Sequence, residues 1–306
     1  MKKTKTGTVG IVGLGTMGGS FARNLKKAGW RVIGFDPAPA RQREMTRAGV
    51  EIAANMAALA AAAPVIVTSL PKPEALAATA KAVAAEKLPR RILIECSTFT
   101  IADKEKAARV LARAGHVLLD CPVSGTGAQA RTGDIVAFAS GDPRAVARAR
   151  PVLAAFTRKA YDVGAFGNGS KMKYVANLLV GIHNVASAEA LVLGMKAGLD
   201  PKMIVDLIPQ GAGNSRVFEL RAPMMAKNDY RDATASCTIW EKDMAVISGF
   251  ARKIGAPTPL FDATMPLYAA ALRDGRGDED TAAVCAILEK KARLKRPKSA
   301  RRRAAR

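Results

Sequence analysis

The chain has 306 residues, of which 49% are hydrophobic and 24% charged, a composition typical of a globular enzyme with a sizeable core in one or two domains. Its four scattered cysteines form no CxxC pair, which argues against a zinc site or a disulfide framework and favours a reducing cytosol. No uninterrupted apolar run reaches the roughly 20 residues of a membrane span. We therefore predict a cytoplasmic protein with no metal site and no membrane contact.

The net charge of +22 is unevenly distributed. Residues 290–306 hold ten Lys or Arg and no acid, so this segment alone accounts for +10. Such a block is typical of a solvated, disordered tail, and contact with nucleic acid, an anionic surface or a neighbouring subunit is the alternative. The segment has no aromatic residue on which a base could stack, which argues against sequence-specific recognition of nucleic acid.

Short apolar runs alternate with helical patterns in the first half of the chain. The predicted strands are Thr8 to Val12, Arg31 to Phe35, Val65 to Ser69, Arg91 to Glu95, His116 to Asp120 and Ile135 to Ala139. The helices predicted between them include Met17 to Ala28, Asn55 to Ala63 and Lys104 to Ala114. This alternation predicts an α/β fold, in which a parallel sheet is covered by helices on both faces.

The pattern changes after Gly164. One long helix is predicted from Ser170 to about Ala197, ended by Gly198, and the helices after it are punctuated by prolines. We predict no strand in this part. The expected organisation is a dinucleotide-binding domain over residues 1–165, a helical domain over 166–289 and a basic tail over 290–306.

A glycine-rich motif follows the first predicted strand and opens the first helix. Its glycines let the backbone approach a pyrophosphate at the helix N-terminus. Asp36 ends the second strand, where an acid accepts hydrogen bonds from ribose hydroxyls and repels a 2′-phosphate, so NAD is predicted. NADP stays open because Arg41 and Arg43 follow, and a turn that serves only helix packing is the alternative. The motif consists of Gly13, Leu14, Gly15, Thr16, Met17 and Gly18.

Further candidate residues follow the later strands. Leu70–Pro71 and Thr98 lie where ligands bind in open α/β sheets, although each segment also fits an ordinary strand-end loop. Ser124, Gly125 and Thr126 follow the fifth strand and offer a hydroxyl and backbone N–H groups that suit a carboxylate. A plain glycine-rich turn is the alternative for this last group.

Lys173 and Asn177 are spaced i and i+4 in the predicted long helix and therefore share a face. Lys171 has Val175 at i+4 and is predicted to be the surface residue of the pair of lysines. A lysine in a partly dry site beside a positive nicotinamide has a lowered pKa and can exchange a proton near neutral pH. We predict Lys173 to be the general acid/base and Asn177 to orient the substrate hydroxyl or carboxylate.

The remaining polar residues of interest carry weaker signals. His116 and His183 are predicted to be structural, and Glu189 is predicted to pair with a buried group because it lies in an apolar helix. Lys242 is near the start of another predicted helix and can reach the cofactor or the substrate.

These motifs, in this order, resemble those of the β-hydroxyacid dehydrogenases, the group that includes 3-hydroxyisobutyrate dehydrogenase and tartronate semialdehyde reductase. The resemblance extends to about Leu288. It is carried by Gly13-Leu-Gly-Thr-Met-Gly18, Thr68-Ser-Leu-Pro71, Cys96-Ser-Thr98, Asp120-Cys-Pro-Val-Ser-Gly125, Gly167-Asn-Gly169 followed by Lys173 and Asn177, Lys242-Asp243 and Gly277-Asp-Glu-Asp280.

The resemblance implies an N-terminal Rossmann domain, a long interdomain helix and a C-terminal helical domain like that of 6-phosphogluconate dehydrogenase. It implies Lys173 as the general acid/base, and a homodimer or homotetramer. It also implies that Lys242 lies by the nicotinamide and substrate. The residues that it implies for substrate binding are Ser124, Gly125, Thr126 and Asn177.

Two departures from the family pattern bear on the substrate. The family usually has Gly-Gly where this chain has Gly125-Thr126, so the extra methyl and hydroxyl narrow or re-polarise the predicted anion pocket. Ala176 stands where the family often has a first asparagine and where phosphogluconate dehydrogenases have histidine, which disfavours a phosphogluconate substrate.

The leading hypothesis is an NAD(P)-dependent oxidoreductase that transfers a hydride between the nicotinamide and a small β-hydroxy acid or its semialdehyde. One alternative is a non-catalytic nucleotide-sensing or nucleic-acid-associated protein on the same fold, which would be expected to lose the lysine. The other is an imine-type reductase, in which another residue usually occupies the position of Lys173.

Overall fold

The structure is a computed structural model that describes residues 7–296. The chain divides into two compact units between Ala176 and Asn177. This division falls inside the long helix, whereas we predicted a boundary before it, and the limits 1–165 and 166–289 stay predictions.

A six-stranded parallel sheet forms the centre of the first unit, as the alternating pattern predicted. Its strand order is β3-β2-β1-β4-β5-β6, and every neighbouring pair is parallel. Parallel neighbours need crossover connections, and the helices supply them. The strands are β1 Thr8–Val12, β2 Arg31–Phe35, β3 Glu51–Ile52, β4 Val65–Thr68, β5 Ile92–Glu95 and β6 Val117–Asp120. The helices are α1 Thr16–Lys27, α2 Pro39–Arg47, α3 Met56–Ala62, α4 Pro73–Ala85, α5 Ile101–Arg113, α6 Gly127–Thr132 and α7 Pro143–Phe156.

Two hydrophobic clusters cover the two faces of this sheet. Alternate residues of β1 divide between them, because Val9 and Ile11 belong to one cluster and Val12 to the other. In the first cluster the rings of Phe21 and Phe156 stack with centroids 4.5 Å apart, which packs α1 beside α7. The first unit is thus a three-layer α/β/α arrangement.

A second, three-stranded sheet corrects one prediction. Its strands are β7 Val123–Ser124, β8 Val136–Ala139 and β9 Lys159–Asp162. We expected the strand at Ile135 to Ala139 to join the parallel sheet, but β8 pairs antiparallel with β7 and parallel with β9. Apolar periodicity identifies a strand without specifying its partner. Strand β9 was not predicted because it is polar and mostly exposed.

The long helix α8 runs over Asn168–Lys196, and Gly198 follows it with φ +88°. By length and apolar composition α8 could cross a membrane. Asn177 and Asn184 of this helix are buried and hydrogen-bonded to other helices of the same unit, as polar side chains of a core helix are. The Asn177 amide donates to the Asp243 carboxylate, and the Asn184 amide donates to the Tyr268 hydroxyl.

The rest of the second unit is helical, as predicted. Buried Asp280 ties its segments together: it accepts a hydrogen bond from Arg221 Nε at 3.1 Å and two from the backbone and hydroxyl of Thr234 at 2.9 and 2.8 Å. Burial alone would raise the pKa of Asp280, but the charge of Arg221 and these hydrogen bonds lower it below its usual value. The helices are α9 Pro201–Leu207, α10 Arg216–Lys227, α11 Cys237–Ile254, α12 Pro259–Arg273 and α13 Val284–Lys291, with 3-10 turns at Ile208–Gln210 and Thr281–Ala283.

Two further expectations are corrected. Glu189 is exposed on α8 and is not inside the apolar core of the helix. The predicted tail does not begin at Lys290, because Lys290 pairs with Asp274 at 2.8 Å and Arg296 donates to the carbonyl oxygen of Ala226 at 2.6 Å. The remainder of the predicted tail, residues 297–306, lies outside the described residues.

Candidate active site

The predicted cofactor residues leave the parallel sheet at one edge. Phe35, Val12, Thr68, Glu95 and Asp120, the last residues of five strands, are register partners of one another across the sheet. The glycine-rich motif and the segments that contain Leu70, Pro71 and Thr98 follow at once. They therefore lie at the carboxyl ends of the strands, where open α/β sheets bind ligands.

The three glycines of the first motif have different surroundings. A Cβ on Gly13 would lie 2.1 Å from the Ser69 carbonyl oxygen, and one on Gly18 would lie 1.9 Å from the Gly13 carbonyl oxygen. Gly15 is the N-cap of α1, and a Cβ there would meet no heavy atom within 4 Å. Gly13 and Gly18 close the turn, whereas Gly15 leaves open space at a helix N-terminus. That space suits a pyrophosphate, so the loop fits a dinucleotide.

The Asp36 carboxylate lies beside this loop. Its Oδ2 accepts the Leu14 backbone N–H at 2.8 Å, and its Oδ1 accepts the Ala38 backbone N–H at 2.8 Å. Arg41, one of the two arginines that could meet a 2′-phosphate, pairs with Glu44 at 3.2 Å. The fixed carboxylate favours NAD over NADP.

The Ser124–Thr126 segment forms the link between β7 and α6. Only glycine fits at position 125, where φ is +143° and a Cβ would lie 2.4 Å from Cγ2 of Ile135. Thr126 caps α6 through a capping box: its hydroxyl accepts the Gln129 backbone N–H, and its own N–H donates to the Gln129 side chain at 3.0 Å. The N–H of Thr126 is thus already used, and the methyl group and hydroxyl that distinguish this chain are held in place.

A buried charged cluster lies directly behind the strand ends. The Lys104 ammonium is fully buried and contacts Glu95 Oε2 at 2.6 Å and Asp120 Oδ1 at 2.8 Å. It also donates to the Ser97 carbonyl oxygen at 2.8 Å. Burial alone would lower the pKa of Lys104, but the charges of Glu95 and Asp120 raise it above its usual value. The lysine is therefore charged at neutral pH.

The first turn of α8 is attached to this cluster. The Ser170 backbone N–H donates to Asp120 Oδ2, and the Ser170 hydroxyl donates to Asp120 Oδ1, both at 2.8 Å. The Gly169 N–H donates to the Ser140 hydroxyl at 3.0 Å. Backbone N–H groups at a helix start have no partner within the helix, so a carboxylate there satisfies them and complements the helix dipole.

The two lysines near the start of α8 differ in exposure as predicted. Lys171 is exposed and donates to Asn168 Oδ1 at 3.1 Å, whereas Lys173 is half-buried. Lys173 lies one turn after Ser170 and one turn before Asn177 on the same helix. The difference in exposure favours Lys173 over Lys171 for proton chemistry.

In the second unit Asp243 joins two predicted site residues. Its Oδ2 accepts the Asn177 amide N–H at 3.1 Å, and its Oδ1 accepts the Lys242 ammonium at 2.6 Å. The amide nitrogen of Asn177 therefore faces a carboxylate, and its oxygen is the atom left to accept a hydrogen bond. An accepting oxygen suits a substrate hydroxyl better than a substrate carboxylate.

Comparisons with known proteins identify the family of the chain. A family model for the NAD binding domain of 6-phosphogluconate dehydrogenase matches residues 8–164, and one described as NAD-binding of NADP-dependent 3-hydroxyisobutyrate dehydrogenase matches residues 167–288. L-threonate dehydrogenase of Cupriavidus necator is 36% identical over 284 residues, which cover 92% of this chain and 95% of that protein. The crystal structure of 3-hydroxyisobutyrate dehydrogenase from Salmonella typhimurium superposes with a TM-score of 0.84 at 31% identity, covering 92% of this chain and 99% of that one.

The chain belongs to the β-hydroxyacid dehydrogenase family. It is an NAD(P)-dependent oxidoreductase, and the non-catalytic alternative is not favoured. An imine reductase of Streptomyces aurantiacus covers 92% of this chain with a TM-score of 0.60 at 20% identity, a likeness that shows a shared fold and nothing further.

Sequence reasoning about this dehydrogenase missed two buried charged residues, Lys104 behind the strand ends and Asp243 beside Asn177 and Lys242. Lys104 lies on the buried face of α5 together with Ala107 and Leu111, and a lysine on the apolar face of an amphipathic helix must have a buried counter-charge. That signal could have identified Lys104. Asp243 was noted only as part of the Lys242-Asp243 pair. Its contact with Asn177 joins residues 66 positions apart, so no local sequence pattern could predict it.

Among residues 7–296, no group of three or more His, Cys, Asp or Glu side chains is arranged to hold a metal ion.

Proposed function

We propose that the dehydrogenase oxidises a small β-hydroxy acid, or reduces the matching semialdehyde, with Lys173 as its general acid/base. When bound, the nicotinamide accepts or donates the hydride at its C4 position. In the oxidation, the Lys173 amine takes the hydroxyl proton as the carbonyl forms, and in the reduction its ammonium returns that proton. Lys173 is supported as the base by its half-buried position one turn before Asn177, beside an exposed Lys171.

The other site residues divide the remaining work. Ser124 and Gly125 are proposed to bind the substrate carboxylate, and the Asn177 oxygen to accept a hydrogen bond from the substrate hydroxyl. The N–H of Thr126 is already used in the capping box and is not available to the substrate. Thr126 is therefore proposed to limit the size of the pocket through its methyl group. Lys242 is proposed to lie by the nicotinamide and substrate, held by Asp243.

The cofactor is proposed to be NAD, bound by the glycine-rich loop with Asp36 on the ribose hydroxyls. The open space at Gly15 supports a dinucleotide, and the Asp36 carboxylate, held by the backbone N–H groups of Leu14 and Ala38, supports NAD. Leu70, Pro71 and Thr98 are proposed to contact the cofactor, because they follow the ends of β4 and β5.

The substrate is proposed to be a small hydroxycarboxylate of about four carbons. Several relatives that cover over nine-tenths of the chain are L-threonate dehydrogenases, and the one from Escherichia coli K12 is 34% identical. A fixed threonine in place of the family glycine favours a short acid over a branched one, since its methyl group reduces the space beside Ser124.

The test is NAD and NADP reduction by the purified enzyme with a panel of three- and four-carbon hydroxy acids, including L-threonate and 3-hydroxyisobutyrate. We expect turnover with NAD on a short acid and a loss of roughly 10²- to 10⁴-fold in Lys173→Ala, the range for a general acid/base. Near-normal turnover of that variant would remove Lys173 from the role. A preference for NADP would contradict the function assigned to Asp36.

We also propose that the dehydrogenase is a homodimer or homotetramer that uses α8. Leu179, Ala186 and Leu193 recur every seven residues along this helix and are all exposed, Leu179 to 47% and Leu193 to 73%. An exposed heptad stripe is the seam that pairs helices, so a second copy of the chain is the proposed partner. Leu193→Lys should shift the mass measured by light scattering to that of a smaller species, whereas an unchanged mass would exclude this face.

A cytoplasmic location is proposed as well. It rests on four free cysteines, all of them buried, in a chain whose described part contains no disulfide.

A further inference from the structure

The buried Glu95–Lys104–Asp120 cluster has no role in the chemistry described above, yet it contacts the segments that should be aligned for that chemistry. Through Asp120 it holds the Ser170 backbone and hydroxyl at the start of α8. Through the Lys104 ammonium it holds the carbonyl oxygen of Ser97, next to Thr98.

The contacts continue from Ser97 toward the cofactor loops. The Ser97 hydroxyl accepts the Leu70 backbone N–H at 2.8 Å, and the Ser97 N–H donates to Glu95 Oε1 at 2.9 Å. Both proposed cofactor segments, after β4 and after β5, are therefore fixed to the same buried charges.

The helix is also held on the other side of Lys173. The Tyr174 hydroxyl donates to the Phe99 carbonyl oxygen at 2.5 Å. Burial raises the pKa of Tyr174 to about 12, so this hydroxyl keeps its proton at neutral pH. Ser170 precedes Lys173 by three residues and Tyr174 follows it directly. Both the rotation and the axial position of α8 at Lys173 are therefore fixed by Asp120 at the end of β6 and by the segment after β5.

We propose that Asp120, Lys104, Ser170 and Tyr174 are positioning residues, which align the Lys173 amine with the cofactor loops that follow β4 and β5. The proposal rests on the function proposed for Lys173. Its physical basis is that proton and hydride transfer must occur in one geometry, in which a displacement of about 1 Å costs about 100-fold in rate. A buried charged cluster suits this task, because separating Lys104 from its two carboxylates would leave buried charges without partners.

The arrangement of charge agrees with this assignment. The cluster has two carboxylates for one ammonium, and the excess negative charge lies at the positive N-terminal end of α8. That attraction stabilises the first turn of α8, at the strand ends. Water molecules in place of the Asp120 carboxylate would hold the start of α8 less firmly, because water has no net charge to attract the helix dipole.

The test compares Ser170→Ala with Ser187→Ala. Ser187 is a matched control, because it lies on the same helix and is 4% exposed against 2% for Ser170. Within residues 7–296 its hydroxyl bonds only to the His183 carbonyl oxygen of its own helix. The double variant Ser170→Ala/Tyr174→Phe removes the hydrogen bonds of both hydroxyls, to Asp120 and to the Phe99 carbonyl oxygen, and keeps the backbone N–H bond of residue 170 to Asp120. For each enzyme we would measure kcat, KM, NAD affinity, fraction folded and the solvent deuterium isotope effect on kcat, with Lys173→Ala alongside.

We expect kcat to fall about 10-fold in Ser170→Ala and up to about 100-fold in the double variant, with NAD affinity within about twofold of wild type. The solvent isotope effect should rise, because a displaced lysine makes proton transfer slower relative to the other steps. Ser187→Ala should match wild type in kcat and in the solvent isotope effect. A fall in kcat that only follows the folded fraction, with an unchanged isotope effect, would show a merely structural role and overturn the proposal.

The two proposals fail in distinguishable ways. Near-normal turnover of Lys173→Ala would overturn the role of Lys173 and the positioning proposal with it. An inactive Lys173→Ala beside a Ser170→Ala that behaves like Ser187→Ala would overturn the positioning proposal alone.

Discussion

The same substitution, glycine to alanine, is expected to have opposite effects at neighbouring positions of the first motif. At Gly15 the backbone has φ −69°, and an added Cβ points into open space. At Gly13 φ is +87°, and the Cβ would lie 2.1 Å from a backbone oxygen. We predict that Gly15→Ala folds normally but binds NAD poorly, whereas Gly13→Ala loses stability.

The magnitudes follow from these surroundings. At Gly15, alanine is a poorer N-cap by up to about 1 kcal/mol, and the lower entropy of the unfolded chain offsets about 0.4–1 kcal/mol. The net change in the free energy of unfolding should stay within about 1 kcal/mol, or about 4 °C in Tm. At Gly13, left-handed strain of about 1–2 kcal/mol adds to the cost of separating overlapping atoms. A loss of at least about 3 kcal/mol, or roughly 6–12 °C, is expected.

The assays are thermal unfolding for Tm and calorimetric titration for NAD affinity. Gly15→Ala should weaken NAD binding at least about 10-fold, which corresponds to about 1.4 kcal/mol, because its methyl group occupies the space assigned to the pyrophosphate. NAD binding within twofold of wild type would refute the assignment of that space. A Gly13→Ala variant with the Tm of wild type would refute the geometry of the turn.

Two other predictions concern the second unit. Asp280→Asn should cost about 3–5 kcal/mol at pH 7 because it leaves the Arg221 charge buried without a partner. Folding lowers the pKa of Asp280, so its contribution to the free energy of unfolding is present above the unfolded pKa of about 3.9 and is lost as the pH falls through the folded pKa. In urea denaturation, the stability difference between wild type and Asp280→Asn should therefore shrink only below about pH 4. A deficit that does not vary down to pH 3 would contradict this. Asp243→Asn should lower kcat more than it lowers Tm, because it releases both Asn177 and Lys242; steady-state kinetics with unchanged kcat would show that neither residue needs this contact.

Much of the first unit could be predicted because its physical signals are local. Strands β1 and β2 were predicted at their observed limits, since each is a short apolar run that ends at a turn residue. Strand β3 has only two residues and β9 is polar, so neither has an apolar pattern. The pairing of β8 with β7 and β9 depends on which strands the tertiary fold places beside it, and the apolar periodicity of a segment does not specify its neighbours.

The candidate site was predicted in part for the same reason. The glycine loop, Asp36 and the Lys173–Asn177 spacing are patterns within short segments. The contact between Lys104 and Asp120 joins side chains that only the fold brings together, as does the contact between Asp120 and Ser170, 50 positions apart. Sequence could show a lysine on a buried helix face, but the identity of its partners required the structure.

The role of Lys173 is tested most directly by chemical rescue. We would measure single-turnover reduction of NAD by the hydroxy acid, catalysed by Lys173→Ala, with and without small primary amines. Lys171→Ala is the control because Lys171 is exposed two residues away. Lys173→Ala should be slow and should recover activity with rising amine concentration, while Lys171→Ala should react like wild type without amine. A Lys173→Ala variant that reacts at the wild-type rate, or a Lys171→Ala variant that shows the loss and the rescue instead, would contradict the account.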